Sequence, residues 1–131
     1  DLKAAQVVFY SGVPFVQIPC FPVASHLLTT LAELERFVQG RGTIGDYLVE
    51  LFTAYSKDHS AYSKVIWDIS AIAWLLDASW VPSDVVHSPI LTDQYTWSHK
   101  PSRHFMRVAR TVRRDAIFRD LFEKLAKRAG S

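Results

Sequence analysis

Apolar residues along this chain recur with two periods, and where the period changes the elements change. Residues 3–10 read as the closing turns of a helix, which Ser11-Gly12-Val13-Pro14 stops because glycine suits a helix C-terminus and proline cannot continue one. Phe15-Val16-Gln17-Ile18 is a short β-rich run ended by Pro19, which predicts a buried strand. Helix then strand across a four-residue break is half of a parallel-sheet unit. Thr30-Leu31-Ala32-Glu33 has capping-box spacing, with the hydroxyl and the glutamate serving backbone donors of a helix that ends near Val38 and Gly40. From Ile44 a second helical stripe runs through Tyr47, Leu48, Leu51, Phe52 and Tyr55. A third helix is expected over 68–77, with Ile69, Ile72, Ala73 and Leu76 inward.

After Pro82 the period shortens. Residues 88–92, 95–97 and 105–109 read as short strands joined by polar turns. A last helix begins near Asp115, a good N-cap, and places Ile117, Phe118, Leu121, Phe122 and Leu125 on one stripe with Asp120/Lys124 and Glu123/Lys127 outside. No internal repeat or linker divides residues 1–131, so one α/β domain with an open, mostly parallel sheet flanked by helices is the expected architecture.

Composition narrows the class. The 131 residues are 49% apolar and 21% charged, a mix that excludes disorder and low-complexity sequence. A single cysteine, Cys20, excludes a disulfide framework and a multi-cysteine zinc site. No apolar run reaches the ~20 residues of a spanning helix, so a cytoplasmic protein with no membrane partner is expected. The chain opens on Asp1, with no glycine-rich or carboxylate-rich motif after its first strand, which suggests part of a longer protein.

Charge is unevenly spread. Residues 1–99 carry five Lys/Arg against ten Asp/Glu, whereas residues 100–131 carry ten against three. A basic end can contact nucleic acid. Here the bases alternate with apolar residues, as in Met106-Arg107-Val108-Ala109-Arg110, the pattern of a solvated face on amphipathic elements.

The chemistry-bearing residues are few. There is no nucleophile elbow, phosphate-binding glycine loop or His-Glu-x-x-His. The five histidines lack ligand spacing, and Cys20, just past a strand, is expected to be a buried inert thiol. The segment Lys64-Val65-Ile66-Trp67-Asp68-Ile69-Ser70-Ala71-Ile72-Ala73 stands out. Asp68 at a helix start has a structural reading as N-cap and a functional one as a hard oxygen ligand for a divalent cation. Trp67 beside it offers a flat π surface to a base.

Several stretches together resemble the C-terminal half of the inosine-uridine-preferring nucleoside hydrolase family. They are Ala4-Ala5 through Ser11-Gly12-Val13-Pro14, Ser25-His26, Thr43-Ile44-Gly45-Asp46-Tyr47, Lys64 to Trp74, Arg107-Val108-Ala109 and Asp115 to Leu121. The resemblance implies an open, mostly parallel α/β sheet and hydrolysis of the N-glycosidic bond of ribonucleosides around one Ca2+. It implies Asp68 as a calcium ligand. The family often has a histidine before that aspartate to protonate the leaving base; Trp67 stands there instead, and resembles the base-stacking tryptophan of purine-specific members. Tyr55, His59 and Tyr62 fall in the region that borders the family's base pocket. No catalytic residue is assigned within the chain.

The resemblance also implies what the 131 residues lack: the aspartate cluster that supplies the other calcium carboxylates and the general base, and the segment that grips the ribose. One carboxylate does not hold Ca2+, which takes about 6–8 oxygens. The isolated chain is therefore expected to be inactive, to need the missing N-terminal half or another chain, and to expose an unpaired edge strand and apolar surface that favour homo-oligomers. A different class of function remains beside this one, a non-catalytic binding module using the basic 100–128 region, with nucleic acid an unfavoured partner.

Overall fold

A computed structural model describes residues 1–128; the last three residues of the basic terminal segment lie outside the described ones. Helix α1 (Leu2–Tyr10) is N-capped by Asp1, whose side chain accepts from the Ala4 amide at 3.0 Å, and ends at Gly12, whose φ of 75° is the left-handed turn the sequence anticipates. Strand β1 (Val16–Gln17) follows, then a 3-10 turn (Ala24–His26), β2 (Leu28–Thr29), α2 (Leu31–Phe37) and α3 (Thr43–Tyr55). Strand β3 (Lys64–Val65) leads into α4 (Ile69–Leu76) and a 3-10 turn (Ala78–Trp80). Then come β4 (Ser83–His87), β5 (Ile90–Leu91), β6 (Trp97–Ser98), β7 (Phe105–Ala109) and α5 (Arg114–Arg128).

The main sheet is mixed, in the order β1-β7-β4. β1 runs parallel to β7, pairing Val16 with Arg107 and Gln17 with Val108, and β4 runs antiparallel to β7 over five residue pairs. β2 pairs with β3, and β5 with β6, as two-stranded antiparallel ribbons. β1 is half-buried rather than buried, because it is an edge strand of this sheet. β4 has no counterpart in the sequence reading, which placed the first late strand at 88–92; the structure ends one strand at His87 and starts the next at Ile90, on either side of the fully buried Ser88.

One core cluster joins the sheet to the helices: Val23, Leu27, Ala73, Val81, Ala109, Val112, Ile117 and Phe118. Phe118 is 2% exposed, so the α5 stripe faces inward as its spacing predicts. Two other stripes do not. On α3 only Gly45, Val49 and Phe52 are buried, so of the stripe at helical spacing Phe52 alone packs inward, whereas Ile44, Tyr47, Leu48, Leu51 and Tyr55 stand in solvent. On α4, Ala73 is inward but Ile72 and Leu76 are exposed. Helical spacing groups residues on a face without saying which neighbour covers it.

The capping box of α2 forms by half. Thr30 Oγ1 accepts from the Glu33 amide at 3.2 Å, but the Glu33 carboxylate turns away from the backbone to take the Thr29 hydroxyl (2.6 Å) and the Arg114 guanidinium. Arg114 also donates to the Leu28 carbonyl from Nε and Nη2 (2.9 and 2.8 Å), tying β2, α2 and α5 together.

Candidate functional site

The pairing of Leu28 with Val65 and Thr29 with Lys64, extended by the Ile66 amide donating to the Leu27 carbonyl (2.9 Å), delivers the chain to Trp67-Asp68 in a fixed direction. Ser70, 5% exposed, then closes the turn by donating from its hydroxyl to the Trp67 carbonyl at 2.8 Å. Asp68 occupies the N-cap position of α4 with helical backbone angles (φ −78°, ψ −18°), and its side chain makes no capping bond. A capping aspartate is expected to be extended and to bind an amide of the first turn. This one does neither. Its carboxylate is exposed and free for another partner, so the structural reading of the residue fails.

Asp68 and Trp67 open onto a cavity of about 340 Å³ whose other walls are Phe15 to Ile18 of the β1 segment, Cys20, Ala24, Ser70 and Ala71. It runs alongside the parallel strand β1 to the residues just past its C-terminal end and meets the N-terminus of α4. Trp67 is 41% exposed, enough to present one ring face. Gln17, Cys20 and Ser70 were not anticipated as site residues. The polar Gln17 inside the apolar run Phe15–Ile18 was the one sequence signal available. Cys20 is exposed rather than buried, since the chain turns outward at Pro19 on leaving the sheet edge.

Tyr55, His59 and Tyr62 assemble elsewhere, at the C-terminal end of α3. The His59 ring stacks on Phe52 (centroids 5.9 Å apart, 29° between planes), and Tyr62 sets its edge against both. His59 Nε2 contacts the Thr53 carbonyl at 3.1 Å, and its Nδ1 is buried with no partner. The Lys64 ammonium sits 3.1 Å from the Tyr55 ring centroid, and hydrogen bonding and charge from Lys64 hold the Tyr55 phenol below its ordinary pKa. None of the three lines the cavity of Trp67 and Asp68.

Asp68 is the one carboxylate lining the cavity, and among the described residues no three His, Cys, Asp or Glu side chains gather as a metal centre. The residues present do not fit a complete Ca2+ shell of 6–8 oxygens.

Four cations of the basic segment are engaged within the chain. Arg103 donates to the Phe9 and Ser88 carbonyls, Arg110 pairs with Asp84 at 3.1 Å, Arg114 holds Glu33, and Lys124 holds Asp120. No helix among the described residues is long and apolar enough to cross a membrane.

Neither a protein-family profile nor a curated protein matches the sequence. Solved structures do. The chain superposes on a plant nucleoside hydrolase, PpNRh1, with a TM-score of 0.72 and 17% identity over 95% of its length. The chain carries part of the nucleoside hydrolase fold. It matches an inosine-uridine preferring nucleoside hydrolase from Bacillus anthracis in the same way, with a TM-score of 0.71 and 18% identity over 98% of its length. It spans 45% of the plant chain and 41% of the bacterial one, less than half of each nucleoside hydrolase.

Proposed function

We propose that this chain is the portion of a nucleoside N-ribohydrolase that carries the base-facing wall and one metal-facing carboxylate of the site. The observation behind it is Asp68: a carboxylate at a helix N-terminus that caps nothing, stands beside an exposed indole and opens into a cavity. In this reading Asp68 is one oxygen donor toward a calcium ion whose remaining donors belong to polypeptide outside these 131 residues. A calcium ion held by Asp68 together with those outside donors would supply an acidified water. Trp67 stacks on the nucleobase, which favours purines, the larger π surface. No histidine lines the cavity to protonate the leaving base. Tyr55, His59 and Tyr62 contribute to the base pocket only if the α3–β3 loop reaches toward it when the site is assembled.

Two arms test this. The isolated 131-residue chain, incubated with inosine and Ca2+, is expected to release no ribose above background; steady metal-dependent release would overturn the half-site reading. In the polypeptide as its source organism makes it, Asp68→Asn is expected to lower Ca2+-dependent inosine hydrolysis at least 100-fold. Stability should change by less than about 0.5 kcal/mol, because no cap is lost. A loss of 1 kcal/mol or more with activity retained would return Asp68 to a structural role.

A further inference from the structure

The main sheet ends on β4, at the side opposite β1. Its ladder with β7 fixes which main-chain groups of β4 point outward. The Arg110 amide donates to the Pro82 carbonyl (2.9 Å) and the Ser88 amide to the His104 carbonyl (2.8 Å), at the two ends of the register. Bonded and non-bonded pairs alternate in an antiparallel ladder, so Asp84 and Val86 turn their N–H and C=O toward β7, and Ser83, Val85 and His87 turn theirs away from it. β7 agrees: the Arg107 amide, opposite Val85, donates the other way, to the Phe15 carbonyl just before β1 (2.9 Å). The outward amides of Ser83, Val85 and His87 have no partner among the described residues.

Sheet edges are ordinarily blunted by a lysine, a proline, a bulge or a cover. β4 runs five residues in unbroken pairing, holds neither Lys nor Pro, and leaves Val85 55% exposed. Its length is that of an ordinary ladder, about five or six residues. Pro82 and Pro89 flank it without entering it. Its one carboxylate, Asp84, is already matched by Arg110 at 3.1 Å.

The pattern of outward groups is the same read from either end, which is what a twofold interface requires. A second β4 turned about an axis through Val85 sets Val85 against Val85 and Ser83 against His87, so each outward N–H meets an outward C=O. The charges fit as well. Asp84 falls opposite Val86, so like charges do not face each other and each carboxylate keeps its Arg110. On the other face the two exposed valines meet, each flanked by the Arg107 beside it on β7. We infer that β4 seats the β4 of a second copy of this chain, antiparallel and in register at Val85, joining two three-stranded sheets into one. The contact is small beside the ~1,200 Å² of a standard interface, so the dimer is reversible, with a dissociation constant of about 1–100 µM. The inference uses neither Asp68 nor the hydrolase reading, and each can fail without the other.

Sedimentation and residue-resolved amide exchange test it, on the polypeptide as its source organism makes it. Between about 1 µM and about 500 µM the mass should rise from one chain toward two. Over that range exchange at Ser83, Val85 and His87 should slow about tenfold, while Asp84 and Val86, bonded to β7 throughout, stay unchanged. Val85→Lys sets like charges together on the axis and should weaken dimerisation about tenfold or more, as should Val85→Glu. An equal mixture of the two variants should restore it, because a twofold at this position brings the opposite charges together. The exchange pattern needs no variant, so it decides the question even where a charge at position 85 unfolds the chain. A mass of one chain at every concentration overturns the inference. So does a dimer that both variants leave intact, a mixture that stays monomeric, or slowing across 83–87 without the alternation. A different polypeptide bound along β4 in place of the second copy overturns it as well.

Discussion

Replacing Arg114 by alanine removes a clamp rather than a surface charge. Its guanidinium donates twice to the Leu28 carbonyl, pairs with Glu33 and lies 4.4 Å from the Phe118 ring centroid. Burial pulls the Arg114 pKa down, but hydrogen bonds and charge from Glu33 and Asp115 outweigh it and leave the group raised above its usual value. Charge-assisted bonds contribute about 1.5–3 kcal/mol each when desolvated, which would suggest a loss of ~6 kcal/mol or more if they added. They do not add, because Arg114 and Glu33 keep 30% and 22% of their side-chain surface, so water re-solvates what the truncation strands. The bond to Asp115 contributes nothing measurable, since that carboxylate is 86% exposed. The expected cost is about 2–3 kcal/mol, read as a lower urea midpoint by far-ultraviolet circular dichroism. In a double-mutant cycle with Glu33→Gln, about 1 kcal/mol should appear as coupling. A loss below ~0.5 kcal/mol, or two variants that simply add, would refute the clamp and return Arg114 to the pool of free surface cations.

Two further substitutions follow from the packing and the charges. Gly45→Ala should gain up to about 1 kcal/mol of helix propensity, yet the new Cβ would stand 2.7 Å from the Val38 carbonyl oxygen, a backbone atom that does not step aside. Crowding of that kind costs about 1–3 kcal/mol, so net destabilisation is expected, and a urea midpoint at or above that of the parent chain would show α2 and α3 to be looser than this. Hydrogen bonds from Lys3, then from Gln6, hold the Asp93 carboxyl below its ordinary pKa and tie α1 to the β5–β6 ribbon. A depressed folded-state pKa stabilises fully above the unfolded value near ~4 and loses that contribution as pH falls through the folded one. Stability should therefore fall below about pH 4 in the parent chain and fall less in Asp93→Asn; parallel urea titrations that keep a constant difference between the two across that range would contradict the assignment.

Local rules acted where neighbours in sequence supply the partner. The end of α1 at Gly12, the Thr30 cap of α2, the inward stripe of α5 and the Asp120–Lys124 pair were legible because each depends on residues within one or two turns. The α/β class was legible from the helix-then-strand opening, and the prominence of Trp67-Asp68 from a carboxylate and an indole between an apolar run and a helix. Tertiary structure decided the rest. Glu33 satisfies the capping spacing but bonds Arg114, 81 residues away, because a guanidinium is a stronger partner for a carboxylate than a backbone amide. Only the folded chain shows that the Asp68 side chain caps nothing, puts Gln17, Cys20 and Ser70 around it, and sets Tyr55, His59 and Tyr62 apart as an aromatic group. The exposed stripes of α3 and α4 carry the same lesson. Periodicity sorts side chains onto faces, but what covers a face is a long-range contact, and its cover need not lie within the same 131 residues.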